Sequence, residues 1–509
     1  MQSIETKPDL SPGVQDNERT RLSYGWRVLP VVCLASFMTG LNNSSLNIAL
    51  PPIVRHFEAT AFEASWILLS FQLTSTVLMI LFGRLADVFG RRGMYMTGVA
   101  LFATASVLAG FSPHVWFLIA CRVLQAVGGA MLITNSAALL TAAFPRRWLG
   151  QALGIYMSSF ALAQLLGPTV GGVLATELGW RWAFWFNVPF GVICLIWGLR
   201  VIVRIPRTRE PLRLDLPGNL LILFGLGGLL LGLSEVVHRG WGSPLVVIGL
   251  SCFAIALPLF LYVEYRSKFP VVDLAVFREP VVGFGVAAGF FATMSLFAVV
   301  LLMGLYFQAV QGDTPTEAGV KILPLAVTSM ITSPIVGFIL RRVRARTVAV
   351  TAAMVSLSGL VVLLCTISAT TPFPLIVVAM VLIGVGSGGF IPANSTAMLS
   401  EVPEHRLGIA NAVRIMAQSS GVAISTALIL TIISAPLAIG YREQIFQGTL
   451  SNVSRAAAND LVVGYRWALG LMVAMSVLCV LTSLANRRIN SSDKTTGAPV
   501  LISTANSDY

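Results

Sequence analysis

Pro145-Arg146-Arg147-Trp148-Leu149-Gly150-Gln151-Ala152 returns 258 residues later as Pro403-Glu404-His405-Arg406-Leu407-Gly408-Ile409-Ala410. Upstream of these segments, Val123-Leu124-Gln125-Ala126-Val127-Gly128-Gly129 answers to Val381-Leu382-Ile383-Gly384-Val385-Gly386-Ser387-Gly388-Gly389. The pair Asn135-Ser136 answers to Asn394-Ser395 at an offset of 259. A further echo joins the stretch from Gly83 to Arg92 with the stretch from Gly337 to Arg346. Short strings of glycine and alanine recur by chance in apolar helices. A shared Pro-x-x-x-Leu-Gly-x-Ala in a polar loop argues against chance. The chain is read as a duplication.

What is duplicated follows from the apolar runs around these loops. Of 509 residues 56% are hydrophobic and 11% charged, with a mean hydropathy of +0.82. A soluble chain carries about 25% charged residues. Here the apolar residues come in runs of about twenty, the length that matches a ~30 Å hydrocarbon core. Only helices and closed barrels satisfy their backbone there, and the two-residue alternation of a barrel is missing. Fourteen helical spans are predicted, near 28–49, 65–82, 94–111, 116–139, 151–175, 183–203, 216–237, 244–263, 281–310, 320–340, 348–368, 373–396, 408–434 and 465–485. The repeat pairs spans 2 and 4 with spans 10 and 12. The layout is then six spans, two inserted spans and six more, an all-α polytopic arrangement of two parallel repeats.

Charge tests this count. Of the 34 Lys and Arg residues, twenty-five fall on the side of the termini, seven on the opposite side, and Arg122 and Arg414 inside spans. Such asymmetry places the termini in the cytoplasm. The predicted organisation is a cytoplasmic tail (1–27), a six-helix half (28–203), a linker with two inserted helices (204–280), a second half (281–485) and a cytoplasmic tail (486–509). Residues 1–22 and 489–509 are polar and expected to be unstructured.

Other classes are excluded by distribution rather than by totals. The net charge of +12 is spread over short loops and forms no stripe for nucleic acid. Cys33, Cys121, Cys194, Cys252, Cys365 and Cys479 fall in six different apolar runs without metal-like spacing, and read as packing residues. The run from Val28 to Ala49 is too long for a signal peptide core and lacks a cleavage site. His56, His114, His238 and His405 are scattered, and no nucleophile constellation, metal cluster or phosphate loop is found. Neither an enzyme nor a cofactor is expected.

Four segments carry a family resemblance. Gly83-Arg84-Leu85-Ala86-Asp87-Val88-Phe89-Gly90-Arg91-Arg92 resembles the signature loop of the major facilitator superfamily, G-x-L-A-D-x-x-G-R-K/R. Its glycines permit a tight turn, and Asp87 can pair with neighbouring arginines as a conformational latch. Arg122-Val123-Leu124-Gln125-Ala126-Val127-Gly128-Gly129-Ala130 looks like the family's R-x-x-Q-x-x-G-x-A motif. A charge inside a span costs at least ~2.5 kcal/mol by insertion scales, so Arg122 should face the interior or a watery path; the plain alternative is a structural arginine bonded to carbonyls. Gly167-Pro168-Thr169-Val170-Gly171-Gly172 is similar to the antiporter motif G-P-x-x-G-G, where proline frees a backbone carbonyl and glycines allow close packing. Trp180-Arg181-Trp182-Ala183-Phe184-Trp185-Phe186-Asn187-Val188-Pro189-Phe190-Gly191 resembles the W-R-W-x-F-x-x-N-x-P-x-G element of fourteen-helix drug–proton antiporters. Further matches are Asp215 to Gly218, Tyr306-Phe307-Gln308 to Pro324, and Asn411 to Arg414. The resemblance implies multidrug efflux in exchange for protons.

One position departs from the family pattern. Its first span reads L-D-x-T-x-x-N-x-A-L-P, whereas here Leu41-Asn42-Asn43-Ser44-Ser45-Leu46-Asn47-Ile48-Ala49-Leu50-Pro51 has Asn42 for the acid. Asparagine cannot titrate. No other carboxylate lies centrally in a span. Glu235 comes nearest and is expected to be a solvated interfacial group, while Glu264 and Asp273 are expected in a structural cytoplasmic loop. Arg122, Gln125, Asn42 and Arg414 are the coupling candidates. Asn43, Gln72, Gln164, Tyr306, Gln308 and Gln418 are candidate substrate contacts, with interhelical packing the alternative for each. With two arginines and no deep acid, the expected substrates are neutral, zwitterionic or anionic amphiphiles. A facilitator or uptake permease of the same fold is the competing reading. The expected partners are a small-molecule substrate and the lipid bilayer, with no nucleic acid and no second copy of the chain.

Overall fold

The computed structural model describes residues 12–203, 215–267, 280–340, 342–368, 370–399, 402, 407–436 and 455–493. Among them no strand occurs. The chain enters through α1 (Pro12–Phe57), α2 (Ala61–Phe89), α3 (Arg91–Gly110), α4 (Val115–Ala143) and α5 (Arg146–Val173), which ends in a π-helical turn at Leu174–Leu178. A short α6 (Trp182–Trp185) continues into α7 (Asn187–Val201), followed by α8 (Leu216–Arg239) and α9 (Pro244–Arg266). The rest comprises α10 (Pro280–Ala309), α11 (Pro315–Ile339), α12 (Ala345–Thr366), α13 (Phe373–Leu399), α14 (Leu407–Ser434) and α15 (Arg455–Asp493).

Twelve stretches among the described residues are long and apolar enough to cross a membrane, α6 and α7 together forming one of them. α2 and α5 fall outside that set, yet at 29 and 28 residues they rise about 40 Å, more than a bilayer core requires. Fourteen spans are compatible with this set. The ends of the chain differ from expectation. Helix starts at Pro12, whose fixed φ suits a first helical turn, and α15 runs to Asp493, so part of each tail is helical. Residues 1–11 and 494–509 lie outside the described residues.

Local sequence sets where helices begin. Thr60 accepts a hydrogen bond from the Glu63 amide while the Glu63 carboxylate accepts one from the Thr60 amide, a capping box that opens α2. Thr314 and Glu317 open α11 in the same way. The two boxes stand 254 residues apart, the separation of Gly83 from Gly337. The duplication therefore extends to the caps. Asp215 opens α8 by accepting from the Gly218 amide at 2.8 Å, with Pro217 in the first turn, which gives the Asp215 to Gly218 segment a structural reason.

Packing repeats with the sequence. α1 lies on α5, and both α2 and α3 lie on α4; correspondingly α10 lies on α14, and both α11 and α12 lie on α13. Two seams join the sets: α5 meets α11, and α2 meets α14. The inserted α8 packs along the second seam, where Leu230 and Leu233 sit among Leu69, Leu73, Ala423 and Ala427. Thr431 Oγ1 donates to the Leu233 carbonyl at 2.7 Å, fastening α8 to α14. α9 packs on α8 and exposes most of its surface.

Small residues set the closest approaches. Lipid is as apolar as leucine, so helices associate in it by van der Waals contact and hydrogen bonds rather than by a hydrophobic drive. A Cβ at Gly167 would overlap Ser44 Oγ, and one at Gly171 would overlap the Ser45 backbone, which explains the intimate α1–α5 pair. The α5–α11 seam is reciprocal. Gly172 abuts the Pro315 carbonyl and Gly319 abuts the Pro168 carbonyl. Thr316 Oγ1 donates to the Gly172 carbonyl at 3.2 Å, and Thr169 Oγ1 to the Gly319 carbonyl at 3.1 Å. Nearby, Gln308 Nε2 on α10 donates to the Ile48 carbonyl on α1 at 3.4 Å. The α5–α11 contacts and that of Gln308 lie toward one end of the molecule, away from the start of α1. At that end Trp180 packs against His56, Phe57 and Phe184, and the Arg181 guanidinium lies 4.7 Å over the Trp180 ring, so the Trp180 to Gly191 element clasps α1 to α6.

A side chain at Gly172 must push α5 and α11 apart at this end, at a cost of about 1–3 kcal/mol for overpacking. Gly172→Val in a Thr316→Cys background should react severalfold faster with a membrane-impermeant maleimide than the Gly172 protein. An unchanged labelling rate would show that the seam does not hold this end closed.

Candidate functional site

The site is built around a buried cation. Arg122 lies two turns into α4, whose start His114 caps by accepting from the Phe117 amide. Arg122 is 2% exposed. Its Nε donates to the Ile67 carbonyl on α2 at 3.1 Å, and its Nη1 to Gln125 Oε1 at 2.8 Å. Gln125, one turn on, passes the bond to Ser106 on α3 at 2.8 Å. The guanidinium stands 4.4 Å over the Phe71 ring, a cation–π contact strengthened by desolvation. Among the described residues no carboxylate pairs with Arg122. The R-x-x-Q spacing is thus a clamp: one helical turn puts the amide where it fixes the guanidinium plane.

Arg122 lines a central cavity between the two helix sets, with Asn43 and Asn47 from α1, Gln72 from α2 and Gln164 from α5. The structure therefore brings Arg122, Asn43, Gln72 and Gln164 together. Asn47 joins them unforeseen, although it sits one turn beyond Asn43 on the same face, a periodicity the sequence displayed. Asn42 turns the other way. It is 1% exposed and faces α7, where Asn187 Nδ2 reaches its Oδ1 at 3.5 Å.

The remaining candidates lie elsewhere. Tyr306 is fully buried and donates its hydroxyl to the Ser368 carbonyl at 2.6 Å; Gln308 serves the α1–α10 contact described above. Arg414 Nη1 donates to Gln418 Oε1 at 3.0 Å within the second helix set, and Gln418 lies beside Gly289 of α10. Gly167, Pro168, Gly171 and Gly172 are the contact residues of α5 with α1 and α11. In the signature loop Gly90 has φ +97°, a left-handed conformation that glycine adopts without strain and that turns α2 sharply into α3. Arg92 Nη2 donates to the Leu199 carbonyl of α7 at 2.7 Å, Arg91 is partly buried, and a Cβ on Gly83 would touch Thr134 at 3.0 Å. The side chains of Arg84 and Asp87 lie outside those described, as does that of His238.

Two carboxylates differ from expectation. Glu235 is 5% exposed rather than solvated; its Oε2 pairs with Arg239 Nε at 3.2 Å on the face of α8 that also carries Gly228 and Gly232 against α9. Those glycines bring α9 close on that face. Glu264 belongs to α9 instead of a loop and is also buried. Asp273 lies outside the described residues. Among the described residues no group of His, Cys, Asp and Glu could hold a metal ion.

Comparison with known proteins agrees with this architecture. Residues 32–426 match the family model of the Major Facilitator Superfamily. The chain is 32% identical over 484 residues to the puromycin resistance protein pur8 of Streptomyces alboniger, covering 93% of this chain and 94% of that protein. It is 29% identical over 431 residues to the multidrug resistance protein Stp of Mycobacterium tuberculosis, covering 84% and 80%. A solved bacterial homologue of the human lysosomal transporter Spinster, in an inward-facing and occupied conformation, superposes with a TM-score of 0.62 over 92% of this chain and 98% of its own, at 15% identity. With a family model matched over most of its length, the chain is a multi-pass membrane transporter of the major facilitator superfamily.

Proposed function

We propose that this transporter exports small amphiphilic molecules across the cell membrane by alternating access, in exchange for protons. The observation that carries the reading is a central cavity with a buried arginine on its wall, lying between two helix sets that meet at one end. Contacts at Gly172, Gly319 and Gln308 close that end, and alternation requires them to part when the other end closes. The names of the resistance proteins above support export. We assign fourteen spans, six-helix halves at 28–203 and 281–485 around an inserted pair within 204–280, both termini in the cytoplasm, and function as a single chain. On this assignment the closed end is external, and the loop from Gly83 to Arg92 acts as the latch at the cytoplasmic end.

A second reading is kept because one observation favours it. The family's first-span acid is here Asn42, and the described cavity wall carries no carboxylate. A facilitator or uptake permease needs none.

The two readings part in proteoliposomes holding a pH gradient. Export by antiport predicts that adding substrates from a panel of amphiphiles dissipates the gradient faster than in protein-free vesicles. Equilibration of substrate with the gradient untouched would establish the facilitator. Arg122→Ala should insert and purify normally yet transport no faster than protein-free vesicles, because it removes the clamp on α2 and α3 together with the cavity's charge; retained transport removes Arg122 from the path. A fluorescent protein fused after Tyr509 should fluoresce, and an exported phosphatase fused there should stay inactive, if the termini are cytoplasmic.

A further inference from the structure

The two walls of the central cavity are chemically opposite. The first helix set contributes Asn43, Ser44, Asn47, Gln72, Arg122 and Gln164, with Leu68 beside them. The second contributes Leu296, Phe297, Val300 and Leu301 from α10, with Leu325 from α11 and Val422 from α14; among the described residues its polar lining groups are the hydroxyls of Ser329 and Thr426. One wall is mainly amide and guanidinium, the other mainly hydrocarbon.

The polar wall is also unfilled. Asn43 Oδ1 is buried with no hydrogen-bond partner among the described residues, an acceptor open to a water carried with a polar head group. The side-chain amides of Asn47, Gln72 and Gln164 line the cavity and have no described protein partner either. Arg122 has committed its Nε to Ile67 and its Nη1 to Gln125, which leaves the Nη2 edge of the guanidinium with no described acceptor. A buried charge without a counterion is costly, and the cost is relieved by bringing a partner of opposite sign. With no carboxylate on the described wall, that partner has to arrive with the cargo.

We propose that the cavity is an oriented subsite for monoanionic amphiphiles. An aryl or alkyl carboxylate places its anionic head on the Nη2 edge of Arg122, beside the amide N–H groups of Gln72 and Gln164, and lays its apolar body on α10 around Phe297. A permanently cationic compound with the same body meets an unopposed guanidinium and is rejected. The assignment rests on the transporter reading and deepens it by naming the substrate's charge and its pose.

Three probes sharing one ring system test it: 1-naphthoate, 1-naphthamide and 1-naphthyltrimethylammonium. Equilibrium binding to the purified full-length protein in detergent, with no gradient present, separates this assignment from the antiport reading, which is judged only by the vesicle experiment. The carboxylate should bind about tenfold or more tighter than the amide, the scale of one charge-assisted hydrogen bond, and the ammonium compound should bind most weakly. Arg122→Gln should bring carboxylate affinity down to that of the amide and leave amide binding in place, which also reports that the variant is folded. Phe297→Ala should weaken carboxylate and amide alike and preserve their ratio. Equal binding of the three probes, a preference for the ammonium compound, or no binding of any would overturn the assignment. So would a carboxylate preference that survives in Arg122→Gln. If the vesicles show antiport of some other compound while naphthoate fails to bind, export stands and the anion subsite falls.

Discussion

Hydrocarbon offers no water to an unpaired peptide group, and that single deficit shapes this molecule. Every spanning segment must satisfy its own backbone, so every segment is a helix. Once all segments are helices coated in apolar side chains, burial no longer distinguishes a neighbouring helix from lipid, and close approach has to come from small side chains. The α1–α5 pair and the α5–α11 seam show the result. Glycines let main chains touch, and threonine hydroxyls find carbonyls across the gap.

The same deficit makes polar groups inside the bundle informative. Arg122 is held in place by a carbonyl, an amide and an aromatic face, three contacts that orient a cation without neutralising it. This differs from a structural arginine bonded wholly to carbonyls, because Nη2 has no described acceptor and the residue lines a cavity. Arg414 shows how the context matters. It shares the span-embedded position and a glutamine partner one turn away, yet it lies within the second helix set and away from the described cavity wall.

Much of the architecture was legible in the sequence because it rests on length, charge and repetition. Apolar runs set the helices, and the duplicated loops paired α2 with α11 and α4 with α13. Those pairs occupy matching places in the packing, down to capping boxes at the same separation. The site was legible only in part. Arg122 and the polar residues around it stood out against an apolar background. Phe297 and Leu301 did not, since α10 is apolar all round and no periodicity tells the cavity face from the lipid face. Tyr306 and Gln308 looked like cavity groups for the same reason that Gln72 did: a polar side chain within a span signals an interior position without saying which interior. Adjacent Asn42 and Asn43 face different neighbours, a distinction that depends on the rotation of α1 about its axis. Glu235 reads as solvated because it is near a helix end, whereas its burial depends on helix packing that the sequence does not display.

The inserted hairpin makes the two seams unequal. α8 fills the outer groove between α2 and α14 and is tied to α14, whereas among the described residues no helix outside the two sets packs along the line where α5 meets α11. If the halves separate, the first seam is lined with protein and the second is bathed by acyl chains. Annular lipid then acts as a lateral solvent for one flank alone, and changes in bilayer thickness or fluidity are felt through α5 and α11 rather than symmetrically about the molecule.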